Sequence, residues 1–165
     1  METQVPTFAS NRPQSSLGTS FLRFQLDDQT PALLSMEHAQ EVLVVPVERL
    51  TTMPNMPDCV LGLLNRRSRV LWMIDLAKLL GLEPLSANLQ RYNVAIIRVG
   101  PTPLALAVQE VKGVTRFSLD LIQSPRGSVP SNLLNYLQGC ILQVSEIILV
   151  LDAVAIAHAP ALHSS

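Results

Sequence analysis

Lysine is scarce in this 165-residue chain, occurring only as Lys78 and Lys112. A lysine that grips phosphate or forms a Schiff base is therefore poorly supplied. The seven aromatic residues are scattered, which argues against the stacking platforms that hold single-stranded nucleic acid. Charge is sparse too, at 15% of residues, and nearly balanced at a net −1. That balance excludes a general electrostatic footprint on nucleic acid or an anionic membrane. Cys59 and Cys140 are the two cysteines, and without a secretory signal they read as isolated buried thiols in a reducing cytosol and not as a disulfide. His38, His158 and His163 have no Cys, Asp or Glu at zinc-ligand spacing, and no G-x-G-x-x-G, G-x-x-x-x-G-K or G-x-S-x-G occurs. No metal or cofactor is expected. The apolar stretch from Cys140 to Leu162 is interrupted by Gln143, Ser145, Glu146 and Asp152. No uninterrupted run of the ~18 residues that span a bilayer survives, so no membrane insertion is expected.

What the chain has in quantity is apolar residues, 48% of the total, cut at short intervals by twelve prolines and seven glycines. That pattern predicts a globular body of short strands, and Phe21–Leu26, Val94–Val99 and Ile147–Leu151 are the clearest of them. Helical signal is local. Asp75 ahead of Leu76, Leu79 and Leu80, with Gly81 behind, predicts an N-capped helix of about two turns stopped by glycine. Asp152 ahead of Val154, Ala155 and Ile156 predicts its second copy, and Asp58 ahead of Val60 and Leu61 a further capped turn. Residues 1–20 carry Pro6, Pro13, Gly18 and a polar majority and are expected to be a flexible tail; residues 159–165 are expected to be a C-terminal one.

The order of features repeats. Gly62 and Asp75 are thirteen residues apart, and Gly139 and Asp152 repeat that interval seventy-seven residues later. Ahead of the first pair stand Phe21–Leu26, Thr30-Pro31 and Gln40-Glu41-Val42; ahead of the second stand Tyr92–Val99, Thr102-Pro103 and Gln109-Glu110-Val111. Two copies are too few for a solenoid and point to two similar modules packed together, about 21–90 and 91–158. Asp75 and Asp152, at equivalent strand ends, read as structural helix caps contributing about 1 kcal/mol each. A catalytic carboxylate pair would instead have to converge on one point.

The most distinctive stretch is Met53–Leu82, MPNMPDCVLGLLNRRSRVLWMIDLAKLLGL. Arg66, Arg67 and Arg69 crowd a turn between two apolar strands. They fit a solvated hairpin tip that discourages strand association, and equally a partner contact. Pro54, Pro57, Val60, Gly62, Asn65 and Arg67, then Ile74-Asp75-Leu76 and Gly81-Leu82, form a pattern that resembles the CheW-like domain, the adaptor of bacterial chemosensory arrays. The likeness extends over residues 21–158: Phe21-Leu22-Arg23-Phe24 is similar to the family's first strand, Glu41-Val42 to its Glu-Val element, Val108–Val114 to a second-half strand and Leu137–Asp152 to its closing segment. The chain departs from the family at Asn65-Arg66-Arg67-Ser68, commonly Asn-Leu-Arg-Gly, at Trp72, commonly proline, and at Val108-Gln109, usually Val-Asp. Losing the glycine implies a hairpin of different backbone geometry. These departures look more like adaptors of pilus-based twitching or phototaxis systems than flagellar ones.

The resemblance implies an all-β fold of two interlocked five-stranded SH3-like barrels with short helices, the first strand belonging to the second barrel and the closing strand returning to the first. It implies a noncatalytic cytoplasmic adaptor, recruited to membrane-associated receptor arrays. Its partners would be the regulatory domain of a CheA-type histidine kinase and the cytoplasmic tip of a methyl-accepting chemoreceptor. Matching positions put Glu41, Val42, Gly62, Asn65 and Arg67 at the partner-facing surface of the first barrel. Arg67 would give a charge-assisted contact, Val42 an apolar one and Gly62 a close backbone approach. For Gly62 and Asn65 a role within a turn stands equally open. Two other classes remain: a small-ligand-binding β-barrel, and an enzyme using Asp75 and Asp152.

Overall fold

The computed structural model describes residues 18–125, 127 and 129–163. Its strands are β1 (Thr19–Asp27), β2 (Thr30–Ser35), β3 (Ala39–Pro46), β4 (Leu50–Thr51), β5 (Val60–Arg66) and β6 (Arg69–Asp75), then β7 (Arg91–Val99), β8 (Thr102–Val108), β9 (Glu110–Phe117), β10 (Leu137–Leu142) and β11 (Ile147–Leu151). Two short α-helices follow strand ends, α1 (Leu76–Leu79) and α2 (Ala153–Ala157), and α3 (Pro160–His163) follows α2. Most of the expected N-terminal tail lies outside the described residues, while Thr19 and Ser20 already pair within β1. At the other end the tail expected from 159 is corrected. Ala159 is buried and α3 carries Leu162 into the core, because both have apolar surface to remove from water.

The strands form two mixed sheets, one ordered β10-β11-β2-β1-β9 and the other β3-β7-β8-β6-β5-β4. Read from the β5 side, the second repeats the first strand for strand. Each contains one parallel contact, β11 with β2 through Val150↔Leu33 and β6 with β8 through Met73↔Ala105. The modules interlock by exchanging hairpins. β1 and β2 leave the first half to join β9, β10 and β11, while β7 and β8 join β3, β4, β5 and β6. The closing strand does not return to the first module as expected; β11 stays beside β10. The tight β1–β2 turn, where Asp27 Oδ1 accepts from Gln29 N at 3.0 Å and Thr30 Oγ1 at 2.6 Å, makes two strands cross together, so no further strand must return.

Alternate residues of each strand face opposite sides, and this divides the core in three. Val94 and Ile96 of β7 join Val45, Leu64, Leu71 and Met73 inside the six-stranded sheet. Phe21, Leu33, Ile141, Ile148 and Val150 pack inside the five-stranded one. The opposite faces supply the seam between sheets: Phe24, Leu26, Leu34, Ile74, Ile97, Leu106 and Leu149, closed by Leu76, Leu80 and Ile156 from the helices. Strands of both halves feed every cluster, so neither half has a core of its own.

The short helices begin at the two repeated aspartates. Asp75 Oδ1 accepts from Lys78 N at 3.1 Å, and Asp152 Oδ1 from Ala155 N at 3.1 Å. The first helix is one turn and not two. Gly81, at φ +80, lets Leu82 N donate to Ala77 O at 2.8 Å and Gly81 N to Lys78 O at 3.1 Å, the Schellman ending that stops it. At Asp58 the chain makes a turn closed by Val60 N donating to Pro57 O at 2.9 Å, and Val60 and Leu61 start β5.

Candidate functional site

β5 and β6 form a hairpin whose two turn residues, Arg67 and Ser68, both have positive φ, +55 and +66. That is the left-handed pair a two-residue turn needs to match the twist of its strands. The geometry is thus retained without the glycine, correcting the expectation of a different backbone. The conformation costs roughly 1 kcal/mol or more at each residue. At the start of the hairpin the register shifts between Val60↔Ile74 and Gly62↔Met73. The same shift occurs between Leu137↔Leu151 and Gly139↔Val150.

The tip meets β3. Arg66 donates to Glu41 through Nε at 3.3 Å and through a close Nη2 contact, and Arg67 adds a longer contact at 3.5 Å. In a flat sheet β3 and β5 would stand roughly 19 Å apart, four strand spacings, beyond the combined reach of the two side chains. The six-stranded sheet therefore curls until β3 reaches the β5 tip, and the Glu41–Arg66 pair fastens that corner. The hydrogen bond from Arg66 holds the Glu41 carboxyl below the ordinary glutamate value; partial desolvation opposes it, and the charges of Arg66 and Arg67 add to it. Arg67 remains 75% exposed. On β3, Glu41 shares the inward face with Leu43 and Val45, while Val42 and Val44, 48% and 54% exposed, point outward. On the hairpin, Asn65 is exposed and pairs across the ladder with Val70, itself 63% exposed.

The sequence model of the CheW-like domain matches residues 20–161. The chain belongs to the CheW-like family. Among solved structures it is similar to the scaffolding protein TtCheW from Thermoanaerobacter tengcongensis, with a TM-score of 0.70 and 19% identity over 82% of this chain and 89% of that one. No curated protein matches the chain.

Within this CheW-like fold the five candidate residues do not form one contiguous face. Glu41 and Val42 point to opposite sides of β3, and Glu41 is already engaged by arginine. Gly62 is buried, and the close approach it permits is internal: a Cβ there would stand 3.0 Å from the Thr51 carbonyl oxygen of β4. Its repeat partner Gly139 meets the equivalent strand segment, where a Cβ would lie 2.5 Å from Gln123 O. Asn65 and Arg67 are exposed at the tip. Sequence reasoning passed over Val44 and Val70, which alternation along β3 and β6 could have found. It also passed over Arg66 as the residue that holds Glu41.

The repeated aspartates serve their own helices. Asp75 is 3% exposed and both its oxygens are used, Oδ2 accepting from Leu85 N at 2.9 Å. Among the described residues no group of three His, Cys, Asp or Glu side chains could hold a metal. Cys59 and Cys140 are free and buried, and burial pushes both thiols up from their ordinary value, which lowers their reactivity. No helix among the described residues is long and apolar enough to cross a membrane. A cleft of about 490 Å³ lies between the β1–β2 turn and the segment linking the halves, with Asp28, Arg91, Asn93 and Gln109 in its wall.

Proposed function

We propose that this chain is a noncatalytic CheW-like adaptor that couples chemoreceptors to a CheA-type histidine kinase. The family match over residues 20–161 carries the reading. The composition of the β3 and hairpin surface supports it: exposed Val42 and Val44 on β3, and exposed Val70 and Arg67 on the hairpin, have the mixed apolar and arginine character of protein interfaces. An adaptor of this kind works by holding two partners in a geometry where the state of one biases the other. Its partners are the kinase regulatory domain and the cytoplasmic receptor tip, and it acts in the cytoplasm at membrane-associated arrays. Arg67, Asn65 and Val42 contact a partner directly, while Glu41 and Gly62 fix the corner that presents them.

The departures at Ser68, Trp72 and Gln109 favour an output through type IV pili, in twitching or phototaxis. The cleft has the size of a ligand site, but Gln109 Nε2 donates to Asp28 Oδ1 at 2.7 Å and Asn93 Nδ2 to Gln109 O at 3.0 Å, so Asp28, Asn93 and Gln109 already bond to one another. The adaptor reading is tested by titrating the chain against the kinase regulatory domain and the receptor tip. Both should bind, and Arg67→Ala should weaken one of them by about 1–2 kcal/mol. Binding to neither would remove the reading.

A further inference from the structure

Three arginines stand at the β5–β6 tip, and two of them reach a carboxylate, Glu41. Arg66 holds Glu41, Arg67 reaches it only at 3.5 Å, and Arg69 forms no ion pair with any described residue. Arg66 and Arg69 also stand directly opposite each other in the ladder, a like-charge placement that works against the hairpin. Both turn residues add left-handed backbone strain.

The repeat supplies an internal comparison. β10 and β11 build the same bulged hairpin with Gln143-Val144-Ser145-Glu146 at the tip and no basic residue. The one charge there, Glu146, is neutralised by Arg23 at 2.8 Å. This fold therefore closes its hairpins without arginine, and the first tip carries unneutralised positive charge at the expense of its own stability. Such charge calls for an opposite charge that the described chain does not supply.

We propose that the β5–β6 tip docks an acidic segment of a protein partner, with Arg67 and Arg69 receiving its carboxylates and Arg66 held back to neutralise Glu41. This rests on the adaptor reading and assigns the chemistry of the partner at that site. Planar guanidinium groups match carboxylates in paired hydrogen bonds. A protein fits better than a membrane or nucleic acid because Val70, 63% exposed, follows Arg69 along β6 and the whole chain carries a net charge of −1.

The test uses the full chain with Arg69→Gln and Arg69→Glu, titrated at low and high salt against the kinase regulatory domain and the receptor tip, with thermal melts alongside. Arg69→Glu should weaken binding to one of the two probes at least about tenfold at low salt, and Arg69→Gln less. Both gaps should shrink at high salt. Both variants should melt at or above the wild-type temperature, since each removes the repulsion with Arg66. Wild-type binding to a probe with unchanged affinity in both variants overturns the proposal and leaves the adaptor reading standing, whereas wild-type binding to neither probe overturns both. A lowered melting temperature in both variants would make Arg69 structural and also overturn it. So would tight binding to phosphatidylserine vesicles or duplex DNA that Arg69→Glu abolishes, because the occupant would then not be a protein.

Discussion

Replacing the two repeated aspartates by alanine should give unequal losses of stability, although both cap a helix. The common part is the N-cap hydrogen bond, to Lys78 N in one copy and Ala155 N in the other, worth about 1 kcal/mol. Asp75 alone also accepts from Leu85 N, and it lies almost wholly out of water at 3% exposure. Asp75→Ala strands that second donor, adding roughly 1–3 kcal/mol. The expected totals are about 2–4 kcal/mol for Asp75→Ala and about 1 kcal/mol for Asp152→Ala. For a domain of this size they correspond to melting temperatures lowered by roughly 4–16 °C and 2–4 °C. The backbone bonds made by the two aspartates, Asp75 N to Cys59 O and Asp152 N to Tyr136 O, both 2.8 Å, survive the substitutions, so the comparison isolates the side chains. Urea unfolding followed by circular dichroism, with midpoint and slope fitted separately, reads the difference. Equal losses, or an Asp75→Ala protein within about 1 kcal/mol of wild type, would refute the reasoning.

Gly139→Ala should destabilise by about 1–3 kcal/mol, because its Cβ would sit 2.5 Å from Gln123 O and that carbonyl is fixed by Cys140 N at 2.9 Å; an unchanged melting temperature would contradict it. Glu41→Gln should separate from wild type in a pH-dependent way. Since Arg66 lowers the folded-state pKa of Glu41, the pair contributes fully above the ordinary value of 4.5 and is lost as pH falls through the lowered value. Thermal melts should therefore show a gap between wild type and Glu41→Gln at neutral pH that closes in acid, and a gap independent of pH would count against the pair.

The thirteen-residue interval from glycine to aspartate was legible because both copies need the same two devices, a bulge that presses against a neighbouring strand and a cap that ends β6 or β11. Short strands and the family were legible from the alternation and from the Pro54–Leu82 pattern. The Gln-Glu-Val likeness misled. In the ladders Ala39 pairs with Ile97 and Glu41 with Ile96, while Val111 pairs with Phe24 and Gly113 with Arg23, the counterparts of Ile97 and Ile96, so Val111 occupies the place of Ala39 and Gly113 that of Glu41. Both strands bulge at that same point, and the Gln-Glu-Val pattern falls three residues early in the second copy, an offset that composition does not reveal. The Glu41–Arg66 pair was equally hidden, since it joins strands four places apart in one sheet and depends on curvature. The length of α1 was misjudged because Leu79 and Leu80 continue the apolar pattern while Gly81 has already turned the chain.

The central claim is that one chain engages a receptor and a kinase together. It is tested most directly by sedimentation of the receptor tip and the kinase regulatory domain, with and without this protein. The account predicts a ternary complex that forms only when the chain is present. Mutually exclusive binding of the two partners, or a receptor–kinase complex that forms equally well without the chain, would contradict it.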